Sequence, residues 1–223
     1  MAVGDALVGF ITGPSVNVWF MHSVHNLFKR CRRFNADWAV VVGPYIHSNR
    51  NELQREFMVS GRNWLMMLDN DMVFNPEDVE VLFNWADANG PGVYAAPYII
   101  ENTMLTCGVW DDEVEGVYHP MFALPAEPTR VGVVGGGFTL IHRDVFEATG
   151  ADAFSPVFAD QGEDLAFSWR AGKAGFTPWL IPESNPGHHK TVVLYPSAEV
   201  RNIIGEEINL VLLDREQTQE QGG

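Results

Sequence analysis

The chain has only two cysteines in 223 residues, Cys31 and Cys107. They are too few and too isolated for a disulfide framework or a zinc site. Basic residues are also scarce: Lys and Arg total 14 against 29 acidic residues, a formal net charge of −15. Proteins that grip duplex DNA over a long footprint do so by neutralising phosphates, so this deficit argues against that class. The one basic cluster, Lys29, Arg30, Arg32 and Arg33, falls near the end of the first predicted helix, where cations are favourable. No apolar run reaches the roughly 18 residues of a membrane-spanning helix. The opening MAVGDALVGF has no basic segment ahead of its apolar run, so no signal peptide is expected and a cytoplasmic location is. A Pro/Ser-rich linker, an internal repeat and a long charge block are missing too. One domain is therefore expected over residues 1–223, and a hydrophobic content of 46% suits a single sizeable core.

The apolar sequence comes in short blocks. ALVGFIT (6–12) and WAVVV (38–42) run without polar alternation, the pattern of strands covered on both faces by helices. Gly13-Pro14 closes the first. Val16, Phe20, Val24, Leu27 and Cys31 recur at helical spacing and predict a helix over 16–33. SNRNELQREFMVSG (48–61) predicts a second helix ending at Gly61, and WLMML (64–68) a third strand. Asn75 as N-cap, Pro76 in the first helical position, and Glu77 and Asp78 in the positive first turn mark the next helix start. GVYAAPYI (92–99) reads as another strand. Strand and helix alternate, which predicts an α/β fold with a mostly parallel sheet and right-handed crossovers.

The second half is less regular. Residues 101–130 hold short β-like pieces and turns. VGVVGGGFTLIHRDVF (131–146) reads as strand, glycine turn, strand and helix start; EDLAFSWRAGKAG (163–175) as a helix; TPWLIP (177–182) as a strand. SAEVRNIIGEEINLVLLDREQ (197–217) predicts a C-terminal helix followed by a frayed tail.

Asp69-Asn70-Asp71 ends the most hydrophobic strand, where a parallel α/β sheet binds its ligands. Two carboxylates this close repel unless a positive charge joins them. A divalent cation, Mg²⁺ or Mn²⁺, held by carboxylate oxygens and completed by phosphate oxygens, satisfies both.

A strand ending in D-x-D with an N-P-capped helix behind it resembles the GT-A glycosyltransferases, family 2 in particular, including small bacterial and phage types. Four more segments agree, in the family's order. SNRNEL (48–53) looks like the segment that lies near the nucleotide in many of these enzymes. GGGFTLIHRDVF (135–146) resembles their small-residue turn and following strand. GEDLAFSWRAGKAGF (162–176) and NPGHHK (185–190) resemble the acidic helix start and the downstream histidine element.

The resemblance implies a GT-A fold. Its nucleotide-sugar half would span about 1–100 and its small mixed acceptor half about 101–195, with a helix and tail over 196–223. It implies Asp69, Asp71 and His188 as metal ligands, with His189 competing, and a nitrogen in that set favours Mn²⁺ over Mg²⁺. Thr12, Gly13, Pro14 and Ser15 would line the nucleoside pocket. Arg50 would meet base or phosphate, Asn70 would sit with the donor, and Lys190 would add charge at the diphosphate. Gly135, Gly136 and Gly137 would floor a sugar pocket, since glycine lets backbone approach a ligand closely. Asp164 would be the base, Glu163 an acceptor contact, and Asp160 an alternative base. The loop KTVVLYPS (190–197) would close over the donor.

The implied partners are a nucleoside-diphosphate sugar, UDP-linked or GDP-linked, and an acceptor hydroxyl on a protein, glycan or modified nucleobase. Two rivals remain. A nucleotidyltransferase would want a basic, Gly-rich phosphate loop, but FITGPSVNVWF has no Lys or Arg. A non-catalytic sugar- or nucleotide-binding module would be expected to lose one of Asp69, Asp71, Asp164 or the histidine pair.

Overall fold

Ala6–Thr12 forms β1 and is buried along its whole length, as a strand covered on both faces must be. The structure is a computed structural model and describes residues 5–31, 37–101, 104–110, 117–157 and 162–190. After β1 come α1 (Val18–Arg30), β2 (Trp38–Val42), α2 (Ile46–Ser60), β3 (Trp64–Asp69), β4 (Met72–Val73), α3 (Pro76–Asn89) and β5 (Val93–Ala95). The next segment supplies β6 (Ile99–Glu101), β7 (Met104–Leu105), β8 (Cys107–Trp110), β9 (Tyr118–Pro120), β10 (Thr129–Arg130) and β11 (Val133–Val134). The rest is β12 (Phe138–His142), α4 (Arg143–Thr149), α5 (Glu163–Lys173), β13 (Trp179–Leu180) and β14 (Gly187–His188).

The central sheet runs β10-β13-β5-β12-β3-β1-β2. β1, β2 and β3 are parallel neighbours, and β13 is parallel to β5. β12 lies antiparallel between β3 and β5, and β10 is antiparallel at the far edge. The expected mostly parallel α/β sheet is present.

Period-2 alternation sorts the side chains into two cores. Val8, Phe10, Met66 and Leu68 pack against Phe20, Val24 and Leu27 of α1 and Val79, Leu82 and Phe83 of α3. Leu7, Ile11, Leu65 and Met67 face the opposite way, onto Leu53 and Phe57 of α2, Val145 and Phe146 of α4, and Phe167 and Ala171 of α5. Asp69 has the parity of Leu65 and Met67, so its side chain turns toward α2 and α5.

Several predicted boundaries move. α1 starts from Asn17, whose side chain accepts the Trp19 N–H at 2.8 Å. Covered faces are expected for Trp38–Val42, but β2 is the sheet's edge strand, and Trp38, Val40 and Val42 are 58%, 39% and 63% exposed. A continuous apolar run did not distinguish a central strand from an edge strand with one open face. GVYAAPYI splits into β5 and β6 with Pro97 between them; proline donates no hydrogen bond to a ladder. The start of α3 is as expected: Asp78 accepts the Asn75 N–H at 2.8 Å.

Residues 1–189 make one compact unit and 190–223 another, in which only Lys190 is described. The predicted C-terminal helix, the loop beyond Lys190, and Asp160 lie outside the described residues. Among the described residues no helix is long and apolar enough to cross a membrane.

Candidate active site

β3 carries Asp69 to the carboxyl edge of the sheet, level with Ile11 of β1. The following turn is tied back to the N-terminal segment by Asn70, whose amide donates to Thr12 Oγ1 at 2.9 Å and to the Ser15 carbonyl at 3.0 Å. Asn70 therefore holds the aspartate turn against Thr12–Ser15. An open pocket of about 230 Å³ lies here, lined by Thr12, Gly13, Pro44, Asn49, Asp69, Asn70 and Asp71 among others. Thr12, Gly13, Asp69 and Asn70 thus line one pocket, with Pro14 exposed on the same segment.

The histidine element reaches this corner through a short ladder. β14 pairs antiparallel with β4, Gly187 opposite Val73 and His188 opposite Met72. The preceding turn is pinned by Asp78, which accepts the Asn185 N–H at 3.0 Å and offers its carbonyl to Ser184 Oγ at 2.9 Å. His188 Nε2 stands 2.9 Å from Asp71 Oδ2. His189 contributes its backbone N–H, which donates to the Asp71 carbonyl at 2.7 Å. Of the two candidate imidazoles, His188 is the one on the aspartate.

The other ring nitrogen makes that contact informative. His188 Nδ1 is 2.8 Å from the Ile99 carbonyl, which can only accept, so Nδ1 carries a proton. In a neutral ring Nε2 is then a bare lone pair facing a carboxylate, an arrangement that needs a proton or a cation to be favourable. Metal-bound histidines are oriented in this way by a carbonyl behind the ring. Asp69 Oδ1 is a second sign: it is buried and, among the described residues, has no hydrogen-bond partner. Burial pushes the Asp69 carboxyl above its ordinary pKa; Arg50 opposes this, while Asp164 and Asp71 add to it.

Asp69, Asp71 and His188 do not, however, close a three-membered cage. Among the described residues no three His, Cys, Asp or Glu side chains converge on one metal-sized point. Asp69 Oδ2 is drawn to Arg50, whereas Asp71 and His188 meet each other. A hard divalent ion that keeps waters and substrate phosphates needs only one or two protein ligands. Two ligands each about 2.1 Å from an ion and at right angles stand about 3.0 Å apart. The Asp71–His188 distance is compatible with such an ion, and Asp69 lies beside the pair.

Arg50 is 2% exposed, the one charged side chain among the buried described residues. Its Nη2 donates to Asp69 Oδ2 at 3.0 Å and its Nη1 to Asp164 Oδ1 at 2.6 Å. Glu163 Oε1 is 3.4 Å from Nε, near enough to attract but not hydrogen-bonded. Burial alone would lower the guanidinium pKa; Asp164, Asp69 and Glu163 outweigh it and raise it. Burial and the charge of Asp164 in turn push the Glu163 carboxyl up to about 7.

The glycine triplet lies over this arginine. A Cβ on Gly136 would overlap Arg50 Nη1, and one on Gly137 would come within 2.7 Å of the Tyr98 hydroxyl and 2.9 Å of Asp69 Oδ2. Gly136 N–H donates to Asp164 Oδ2 at 3.0 Å, and Gly137 N–H to Tyr98 Oη at 3.0 Å. All three glycines are buried, so the close approach they permit is to the protein's own Arg50, Asp69 and Tyr98. Gly135 does border a small cavity of about 50 Å³, together with Thr106, Tyr118, Asp164 and Leu165. Lys190 is exposed and is the last described residue.

Sequence reasoning missed Tyr98. Its ring meets His188 edge-on at 5.1 Å, and its hydroxyl supports the glycine turn. Burial, with the charges of Asp69 and Asp164, holds the phenol well above its ordinary pKa and therefore neutral. Nothing in AAPYI signalled this. Asn51 and Gln54 were missed as well: they bind residues 150–155 through Ser155 Oγ and the Phe154, Gly150 and Ala153 backbone. Their signal was present, because Arg50, Leu53, Gln54 and Phe57 share one helical face, which sets polar residues on the buried stripe.

No protein-family model and no curated protein matches the chain. Among solved structures it is similar to A197 from STIV, with a TM-score of 0.53 and 16% identity over 86% of this chain and 97% of that one. It is also similar to GalNAc-T7, solved with UDP, GalNAc and Mn²⁺, with a TM-score of 0.61 and 15% identity over 84% of this chain. That match spans 44% of the GalNAc-T7 chain. At such identities the likeness concerns the fold, which is GT-A-like. No family model narrows it to family 2.

Proposed function

We propose that the chain is a metal-dependent glycosyltransferase that moves a sugar from a nucleoside-diphosphate sugar, UDP-linked in preference to GDP-linked, to an acceptor hydroxyl. The observation that carries this reading is the 2.9 Å approach of His188 Nε2 to Asp71, with Nδ1 committed to the Ile99 carbonyl, beside an open pocket at the carboxyl edge of the sheet. The GT-A-like fold supports it, as does GalNAc-T7, a structural neighbour solved with UDP and Mn²⁺.

Asp71 and His188 would hold Mn²⁺ or Mg²⁺, with Asp69 beside them. When bound, the ion supplies Lewis-acid neutralisation of charge building on the departing diphosphate. Thr12 and Gly13 line the space for the nucleoside, with the Asn70 tie keeping that wall against the aspartate turn. Asp164, in the first turn of α5 and on the wall of the smaller cavity, is the base that takes the acceptor proton. Each of its oxygens accepts one hydrogen bond, from Arg50 or Gly136, so lone pairs remain for an acceptor. Glu163 contacts the acceptor or buffers the charge around Arg50.

The test is release of nucleoside diphosphate from a panel of nucleotide sugars with Mn²⁺, with and without EDTA. Metal-dependent release of UDP or GDP supports the reading. Pyrophosphate release from a nucleoside triphosphate and a sugar phosphate would mark a nucleotidyltransferase instead, and binding without turnover a non-catalytic module.

A further inference from the structure

Arg50 reaches both ends of the site. One arm of its guanidinium meets Asp69, where β3 ends at the donor pocket. The other meets Asp164, which borders the smaller cavity. Nη1 and Nη2 each donate to a carboxylate, Nε lies 3.4 Å from Glu163, and the backbone of Gly136 lies against Nη1, so the guanidinium is enclosed by the protein's own groups. Burying an ion pair is a poor route to stability, because apolar residues of similar volume do as well or better. A planar, forked cation does offer a fixed spacing and orientation between two carboxylates, which lysine cannot reproduce.

We infer that Arg50 is a positioning residue for transfer, which fixes the carboxylate of Asp164 toward the acceptor in register with the Asp69 end of the donor pocket. This rests on the glycosyltransferase reading above. The Gly136 N–H holds the second oxygen of Asp164, so the carboxylate is fixed at both atoms and its remaining lone pairs have a set direction. Gly136 is thereby explained: no other residue leaves room for the guanidinium under the turn.

The test is a double-mutant cycle on the full chain, with Mn²⁺ and whichever nucleotide sugar the wild type turns over. Arg50→Lys keeps the charge and loses the fork. It is expected to lower kcat about 100-fold, the scale of a 1 Å misplacement, with the donor KM within threefold of wild type. Because Arg50 acts through Asp164, Arg50→Lys/Asp164→Asn is expected to be no slower than Asp164→Asn alone. A merely structural arginine predicts multiplying losses, and that result, or an unchanged kcat in Arg50→Lys, overturns the inference. If Arg50→Lys is unfolded by circular dichroism, Arg50→Gln/Asp164→Asn, which removes both charges, is compared with Asp164→Asn; equal kcat supports the inference and a loss beyond tenfold overturns it. Absence of any nucleotide release by the wild type sinks the glycosyltransferase reading and this inference together. Release by the wild type with multiplying losses sinks this inference alone.

Discussion

Replacing Gly136 by Ala inserts one methyl group where Arg50 Nη1 already stands. The guanidinium cannot stay. If it moves, it gives up its 2.6 Å bond to Asp164 and its 3.0 Å bond to Asp69, and a buried charge loses its partners. If the turn moves instead, the Gly136 N–H leaves Asp164 and the Gly137 N–H leaves Tyr98. Breaking a buried ion pair costs about 3–5 kcal/mol, a large share of the roughly 5–15 kcal/mol of a typical domain. For a chain of this length each kcal/mol lowers Tm by about 2–4 °C, so the melt should fall by roughly 6–20 °C. Gly172→Ala is the control, since its added methyl meets nothing within 4 Å inside α5. It should be neutral or stabilising by up to about 1 kcal/mol. Calorimetry on the two variants decides the matter. If Gly136→Ala melts within about 2 °C of wild type, the arginine is not seated under the turn and the account of the glycine triplet is wrong.

Three other perturbations separate the parts of the site. Asp71→Ala and His188→Ala should each abolish metal-dependent nucleotide release while leaving the circular dichroism spectrum intact; an active His188→Ala would remove the imidazole from the proposal. Asp164→Asn should bind UDP and Mn²⁺ normally in calorimetry yet transfer about 10²–10⁴-fold more slowly, and full activity would disqualify it as the base. Glu163 bears on stability against pH. Its carboxyl titrates at about 7 when folded against an ordinary 4.5, so between those values the folded state keeps a proton that the unfolded chain has released. Stability therefore falls as pH rises through that window. Urea midpoints at pH 5 and 8 should differ more in wild type than in Glu163→Gln, and equal differences would contradict the raised pKa.

The sheet was readable because its strands are written as apolar blocks and its helices carry start and stop signals. Asn75-Pro76 and the glycine after Ser60 do their predicted work, and Gly61 takes a left-handed φ of +70°. The ladder order was not readable. β12 enters the sheet antiparallel between β3 and β5, a pairing that periodicity cannot reveal because both neighbours are equally apolar. Asp69 and Asp71 drew attention because charge at the end of an apolar strand is conspicuous, whereas His188, which lies against Asp71, was named only through the resemblance. The burial of Arg50 was not read from the sequence. An arginine in a polar helix start carries no mark of burial, and only its spacing to Leu53 and Phe57 betrays that it faces inward. Tyr98 had no such marker, since its role depends on β14 arriving from far along the chain.

The central claim concerns one corner of the molecule and can be tested by diffraction. Crystals soaked with Mn²⁺ and UDP, with data collected at the manganese edge, should give an anomalous peak within bonding reach of both an Asp71 carboxylate oxygen and His188 Nε2. A peak elsewhere, or ordered UDP beside Asp71 with no manganese, would contradict it.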